Sequence, residues 1–174
     1  ATIMGEDFSS GTAEDFKPVL GTWNVRDGGY EVTPGAEGDT ISTISTDGSL
    51  PAEFVLSARL SIRTVPDFNQ NAVLIFDYYG PTDFKFVSLH AGQNKWRIGQ
   101  RDASGWNFLI EKEETIEAGT DLEMAIDIQG SVVTVWSWDV FLLSHDFGTA
   151  LNGGQVGVGS KKGSPRFEAV QLAR

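Results

Sequence analysis

Asp77, Tyr79, Lys85, Arg97, Arg101, Asn107 and Glu111 all fall on odd positions of consecutive strand-like runs, and Trp136 and Trp138 follow two residues apart in "VTVWSWDVF". In a strand, residues two apart share a face, so each group is a candidate surface patch. Guanidinium, ammonium, carboxamide and phenol groups bind oxygen-rich partners through directed hydrogen bonds, and an indole held out of a core offers a flat apolar plate. The same polar residues also read as a ladder of cross-strand ion pairs, Asp77 with Lys85 and Arg97 with Glu111, each contributing about 0.2–1 kcal/mol.

Which side chains meet depends on hairpin register, and opposed residues share a face. A three-residue loop at Gly80–Thr82 sets Tyr78 against Phe84, Phe76 against Phe86 and Asp77 against Lys85. A three-residue loop at Ala103–Gly105 sets Gln100 against Phe108, Ile98 against Ile110, Arg101 against Asn107 and Arg97 against Glu111. The polar set then lies on the face opposite Phe76, Phe86, Ile98 and Phe108, and Trp96 and Trp106 fall in the core. A hairpin opening at Gly130–Ser131 groups Met124, Ile126 and Ile128 with Val133 and Val135. On its other face are Glu123, Ala125 and Asp127 with Thr134, Trp136 and Trp138. The aliphatic side is the better core face, so both tryptophans should point outward, Trp136 above the small Ala125.

Catalytic and cofactor motifs are missing. The chain contains no Gly-rich phosphate loop, H-E-x-x-H, EF-hand loop or G-x-S-x-G elbow. His90 and His145 have no neighbour at metal-ligand spacing and read as ordinary strand residues, while "EKEET" at 111–115 reads as a solvated turn. Glu123 and Asp127 are the acidic pair on one face that a glycan-cleaving reaction would need. With no cysteine there is no disulfide and no thiolate chemistry.

The elements that position these residues are short. Turn clusters such as "DGG", "TDGS", "YGPTD", "DASG", "QGS" and "NGG" punctuate runs rich in Val, Ile, Thr, Phe and Trp, the pattern of an antiparallel two-sheet β-sandwich of roughly twelve to fourteen strands. "GTAEDFKPVL" has a helical look, but Pro18 limits it to a turn. The 174 residues, 40% of them hydrophobic, fit one domain over residues 1–174. The net charge of −11 argues against nucleic acid and anionic membrane surfaces as partners. No apolar run is long enough for membrane insertion by a helix.

"EDFSS", "GTWNVRDGGYEV", "NAVLIFDYYGPTDFKFVSLHAGQNKWRIGQRDASGWNF" and "HDFGTALNGGQVGVGSKKGSPRFEAVQL" resemble the concanavalin A-like lectin and glucanase superfamily. More narrowly, they resemble its laminin-G-like jelly-roll modules in large secreted bacterial proteins. The resemblance runs from Glu6 to Leu172, through turn glycines and strand hydrophobics. It implies an all-β jelly roll whose concave sheet carries the ligand site, on a module excised from a longer, extracellular or cell-surface protein. The expected function is non-catalytic binding or adhesion as a monomeric module of a multidomain protein, with a glycan or cell-surface polysaccharide as partner. Asp77, Tyr79, Lys85, Arg97, Arg101 and Asn107, with Trp136 and Trp138 as stacking rings, are the expected ligand residues. The resemblance also implies a structural calcium ion where the termini meet, at Asp7 in "EDF" and Glu168 in "RFEAV". The glucanase signature E-x-D-x-x-E is absent, and "WD" stands where the family has Asn-Gly or Asp-Gly in one hairpin. A glycan-acting hydrolase and a ligand-free spacer are the alternatives.

Overall fold

The computed structural model describes residues 1–66 and 68–174. The alternating runs between turn clusters become β1 (Thr2–Glu6), β2 (Phe16–Leu20), β3 (Thr22–Arg26), β4 (Gly29–Thr33), β5 (Thr40–Ile44), β6 (Glu53–Ile62), β7 (Asn71–Gly80) and β8 (Asp83–His90). After a single 3-10 turn at Ala91–Gln93 come β9 (Lys95–Asp102), β10 (Gly105–Glu113), β11 (Leu122–Gln129), β12 (Val132–Ser137), β13 (Val140–Asp146), β14 (Gln155–Ser160) and β15 (Pro165–Ala173). These fifteen strands slightly exceed the expected number. The segment with a helical look is strand β2, which ends its sheet beside β5, where Pro18 can lack an N–H without breaking a central ladder.

Two antiparallel sheets face each other. One has eight strands in the order β13-β12-β11-β6-β15-β4-β3, with β1 also paired to β15; the other has seven, β10-β9-β8-β7-β14-β5-β2. The main core lies between them. Met124, Ile126, Ile128, Val133 and Val135 from the first sheet share it with Ala72, Leu74, Phe76, Val87, Leu89, Trp96 and Ile98 from the second. Full burial of each aliphatic side chain there stabilises the fold by about 1.5–3 kcal/mol relative to exposure. A separate apolar cluster of Ile41, Val73, Ile75, Tyr78, Phe84 and Phe86 lies on the outer face of the seven-stranded sheet.

The β11–β12 register is as read from the sequence: Ile128 opposes Val133, Ile126 opposes Val135 and Ala125 opposes Trp136. The other two hairpins differ, each by a tighter turn and a bulge. β9 and β10 close through the two-residue turn Ala103–Ser104, with Asp102 opposite Gly105, because the Asp102 carboxylate accepts from the Ser104 N–H (2.8 Å) and hydroxyl. Leu109 bulges out farther along. Beyond the bulge Ile98–Ile110 and Arg97–Glu111 pair as expected, but before it Arg101 opposes Trp106, Gln100 opposes Asn107 and Gly99 opposes Phe108. One residue of slip reverses every side chain, so Trp106 and Phe108 leave the core face for the outer one. In the β7–β8 hairpin Gly80 opposes Asp83 and Phe76 opposes Lys85, so Asp77, Tyr78 and Tyr79 together face Phe84 alone. Phe76 therefore enters the main core while Phe86 joins the outer cluster, and the expected Phe76–Phe86 contact does not form.

Candidate functional site

The outer face of the seven-stranded sheet is half apolar floor and half polar network. Phe86 stands over Gly99: a Cβ there would come within 2.7 Å of the ring and 2.1 Å of the Asn107 carbonyl oxygen, so only glycine lets the ring and strand approach. Trp106 meets Phe86 edge-on at 4.7 Å and donates its indole N–H to Asp39 at 3.0 Å. Asp39 immediately precedes β5, so this bond ties the β4–β5 connection to the sheet.

Arg97 is the centre of the polar half. It is 6% exposed, donates Nε–H to Glu111 at 2.9 Å and a second N–H to Gln93, and its guanidinium sits 4.3 Å from the Phe108 ring centre. Lys95 reaches the other Glu111 oxygen at 3.3 Å. Hydrogen bonds from Arg97 and then Lys95 hold the Glu111 carboxyl below the ordinary carboxylate range. Lys161 also lies over the Phe108 ring, at 5.4 Å. Its backbone is clamped by the buried Asn71, whose amide accepts from the Lys161 N–H and donates to the Lys161 carbonyl, both at 2.8 Å. Two cations thus flank a partly exposed aromatic ring, and a third, Lys95, shares Glu111 with Arg97.

A few buried polar atoms have no protein partner. Among the described residues they are His90 Nδ1, Arg101 Nε, Asp39 Oδ1 and Asp77 Oδ1, and the first three belong to the outer face of this one sheet. Each such group costs about 1–3 kcal/mol unless something hydrogen-bonds to it. His90 lies opposite Asn71 and Lys95. Burial, then the charges of Arg97 and Lys161, push its imidazole below the usual histidine value, so it is neutral at neutral pH.

The residues singled out in the sequence do not form one patch. Arg97 and Arg101 are on the face just described. Asn107 opposes Gln100 on the reverse side and donates back to the Gly105 carbonyl. Asp77 and Lys85 form their expected ion pair, but it lies beside the Phe147 ring, which packs on the main core. Tyr79 turns outward at the end of the sandwich and is 60% exposed. Trp136 does point away from the core, at 37% exposure, but on the eight-stranded sheet; Trp138, 52% exposed, lies in the β12–β13 turn and lines a cleft with Trp96, Ile116 and Leu142. Trp136 therefore lies on the opposite side of the sandwich from Arg97. Trp136 packs edge-on against Phe141 at 5.7 Å; Trp138 and Asp139, with φ of 48° and 63°, form the turn that the missing glycine would have made. Glu123 and Asp127, four residues apart on β11, are separated by about 13 Å of extended chain, beyond the 5–10 Å a carboxyl pair needs across a glycosidic bond. Glu123 instead accepts the Trp138 N–H at 2.9 Å.

The calcium expectation meets a poor donor set. Asp7 accepts the N–H (3.0 Å) and hydroxyl (2.7 Å) of Ser9, Glu6 accepts the Phe8 N–H at 2.7 Å, and Glu168 is taken by Arg166 at 2.9 Å. Among the described residues no group of three or more Asp, Glu or His side chains converges to hold a metal. Calcium takes six to eight oxygens, and these residues do not fit it as they stand.

Phe108, Trp106, Lys95, Gln93, His90 and Lys161 were missed as site residues. Trp106 and Phe108 were recoverable from "DASG", since an Asp followed two residues later by Ser marks a two-residue turn capped by the Asp. Nothing local in the sequence joins Lys161 to β9, because Asn71 makes that link across 90 residues.

No protein-family model matches the chain, and no curated protein matches it in sequence. Solved structures do. The carbohydrate binding module CBM66 from Bacillus subtilis superposes with a TM-score of 0.79 at 16% identity, over 92% of this chain and 96% of that one. A Bacillus licheniformis beta-glucanase matches over 100% and 99% of the two chains, with TM-score 0.70 and 8% identity. The Emp47p carbohydrate recognition domain matches over 99% and 94%, with TM-score 0.67 and 7% identity. Two antiparallel sheets face to face, with a likeness that runs over almost the whole length of a binding module, a carbohydrate recognition domain and a beta-glucanase, make the fold a jelly-roll β-sandwich.

Proposed function

We propose that this chain is a non-catalytic carbohydrate-binding module that holds its glycan on the outer face of the seven-stranded sheet, around Arg97, Lys95, Lys161, His90 and Phe108. The observation that carries the reading is the partly exposed Phe108 ring held between the Arg97 guanidinium and the Lys161 ammonium on an outer sheet face. A sugar supplies what this surface can use: hydroxyl oxygens for the cationic donors and an apolar ring face for the phenyl plate. The likeness of the fold to a carbohydrate binding module and a carbohydrate recognition domain supports it. Service as an extracellular, monomeric module of a larger adhesive or glycan-degrading protein belongs to the same proposal. Among the described residues no helix is long and apolar enough to cross a membrane.

The hydrolase alternative has less behind it. Of the carboxylates on this face, Glu111 is held ionised by two cations and Asp39 accepts from the Trp106 indole, so neither is placed as a proton donor.

Affinity electrophoresis through gels containing neutral and acidic polysaccharides tests the proposal. At least one polysaccharide should retard the protein, and Phe108→Ala and Lys161→Ala should abolish the retardation with melting temperatures unchanged. Retardation unaffected by both variants would overturn the placement; release of reducing sugar would favour the hydrolase.

A further inference from the structure

The end of the sandwich beside the β7–β8 hairpin carries a cleft of about 510 Å³. Tyr79 forms one side. Ser45, Thr46, Ser49, Asn152 and Gln155 supply hydroxyls and carboxamides around it, and Gly153 and Gly154 lie beneath. Among the described residues that line it there is no Asp, Glu, Lys or Arg, although the chain holds 24 acidic and 13 basic residues.

Local backbone is arranged to make this cleft. Three residues of β7, Asp77, Tyr78 and Tyr79, stand against the single Phe84 of β8. Asp77 takes φ of 48°, a left-handed conformation that a non-glycine residue adopts at a cost of about 1–3 kcal/mol. The bulge sends the two tyrosines to different places. Tyr78 joins the buried outer cluster, 7% exposed, and Tyr79 stands out at 60%. Bulges re-aim side chains in this way beside binding sites. The glycines make room: a Cβ at Gly153 would lie 2.5 Å from the Tyr79 hydroxyl, and one at Gly154 would lie 2.6 Å from the backbone of Tyr78. Asn152 donates to the Leu50 carbonyl at 2.9 Å, which fixes the carboxamide and leaves its oxygen as an acceptor. Thr46 donates to the Gly48 carbonyl at 3.1 Å and likewise keeps free lone pairs.

From these features we infer that the cleft is a second sugar-binding site, selective for uncharged sugars, with Tyr79 as the stacking plate. An exposed aromatic face, fixed neutral hydrogen-bonding groups and an uncharged lining suit a ligand with one apolar ring face, several hydroxyls and no ionised group. The outer-face site, with its cations, has no such preference. The inference rests on the carbohydrate-binding reading of the fold and extends it to a separate place on the molecule.

The test is a titration of ¹⁵N-labelled protein with glucose, galactose, mannose, xylose and fructose, and with glucuronate as the charged comparison, each to about 50 mM, which registers millimolar affinity. The amides of Gly48, Gly153 and Gly154 and the Asn152 carboxamide report on the cleft, and the Trp106 indole N–H reports on the outer face. At least one neutral sugar should move the cleft signals. Tyr79→Ala should weaken that response at least tenfold, Tyr79→Phe should keep it, and glucuronate should bind there more weakly than its neutral counterpart glucose. Cleft signals that stay still with all five neutral sugars, or a response unchanged in Tyr79→Ala, overturn the inference. Movement of the Trp106 indole alone would overturn it while leaving the outer-face site standing.

Discussion

Replacing Glu111 by glutamine asks whether the Arg97 network is held together by charge. The two sides of the pair argue for different magnitudes. The Glu111 side chain is 41% exposed, and an ion pair judged by that partner alone is worth about 0–1 kcal/mol. The Arg97 side chain is 7% exposed, and stripping the partner from a buried charge costs about 3–5 kcal/mol. Glutamine keeps an oxygen for the Arg97 Nε–H, Gln93 and the Phe108 ring stay in place, and water reaches the exposed carboxylate side. Only the charge component is lost, so after the discount for screening Glu111→Gln should cost about 1–2 kcal/mol. At about 2–4 °C per kcal/mol for a domain of this size, the melting temperature should fall by about 2–8 °C. Because Arg97 and Lys95 lower the folded-state pKa of Glu111, its stabilising contribution is complete above the unfolded value of about 4.3 and disappears as pH falls through the folded one. Urea melts followed by tryptophan fluorescence should therefore separate wild type from variant at neutral pH, with the gap narrowing toward about pH 3. No difference at neutral pH, or a gap that persists undiminished in acid, would refute an electrostatic origin.

His90 has the same sign of dependence, at a higher pH. Its folded pKa is lowered, so its contribution is complete above about pH 6.5 and is lost as pH falls through the folded value; His90→Gln should flatten melting temperature against pH between about 7 and 5, and an unchanged slope would contradict its burial as a neutral imidazole. Trp96→Ala, at a site 3% exposed, should cost about 3–5 kcal/mol, whereas Trp138→Ala, in a turn and 52% exposed, should stay within about 1 kcal/mol; equal losses would mean that the Trp138 ring is packed after all. Chelation of a calcium-saturated sample should leave the melting temperature unchanged; a fall of several degrees, reversed by calcium, would show that backbone carbonyls near Asp7 complete a site that its side-chain neighbours do not.

Alternation carried the sequence reading wherever strands were regular. In β11 and β12, period-two placement of Ile126, Ile128, Val133 and Val135 was enough to orient Trp136 correctly. It failed in two hairpins, for the same physical reason in both. A bulge inserts residues that a period-two count cannot see, and each inserted residue exchanges the faces of all that follow. Leu109 is the inserted residue in β10. The two-residue turn sets Trp106 and Phe108 on the outer face, where they meet Asp39, Arg97 and Lys161, and the bulge returns Glu111 to the same face beside Arg97. The extra residues in β7 likewise separate Tyr78 from Tyr79, burying one ring and exposing the other above a cleft. In these two hairpins the register shift lies where the surface acquires an aromatic plate beside fixed polar groups. That coincidence is what a binding scaffold requires. Regular strands supply rigidity, and a site is made by the local irregularity that turns one ring against the rule.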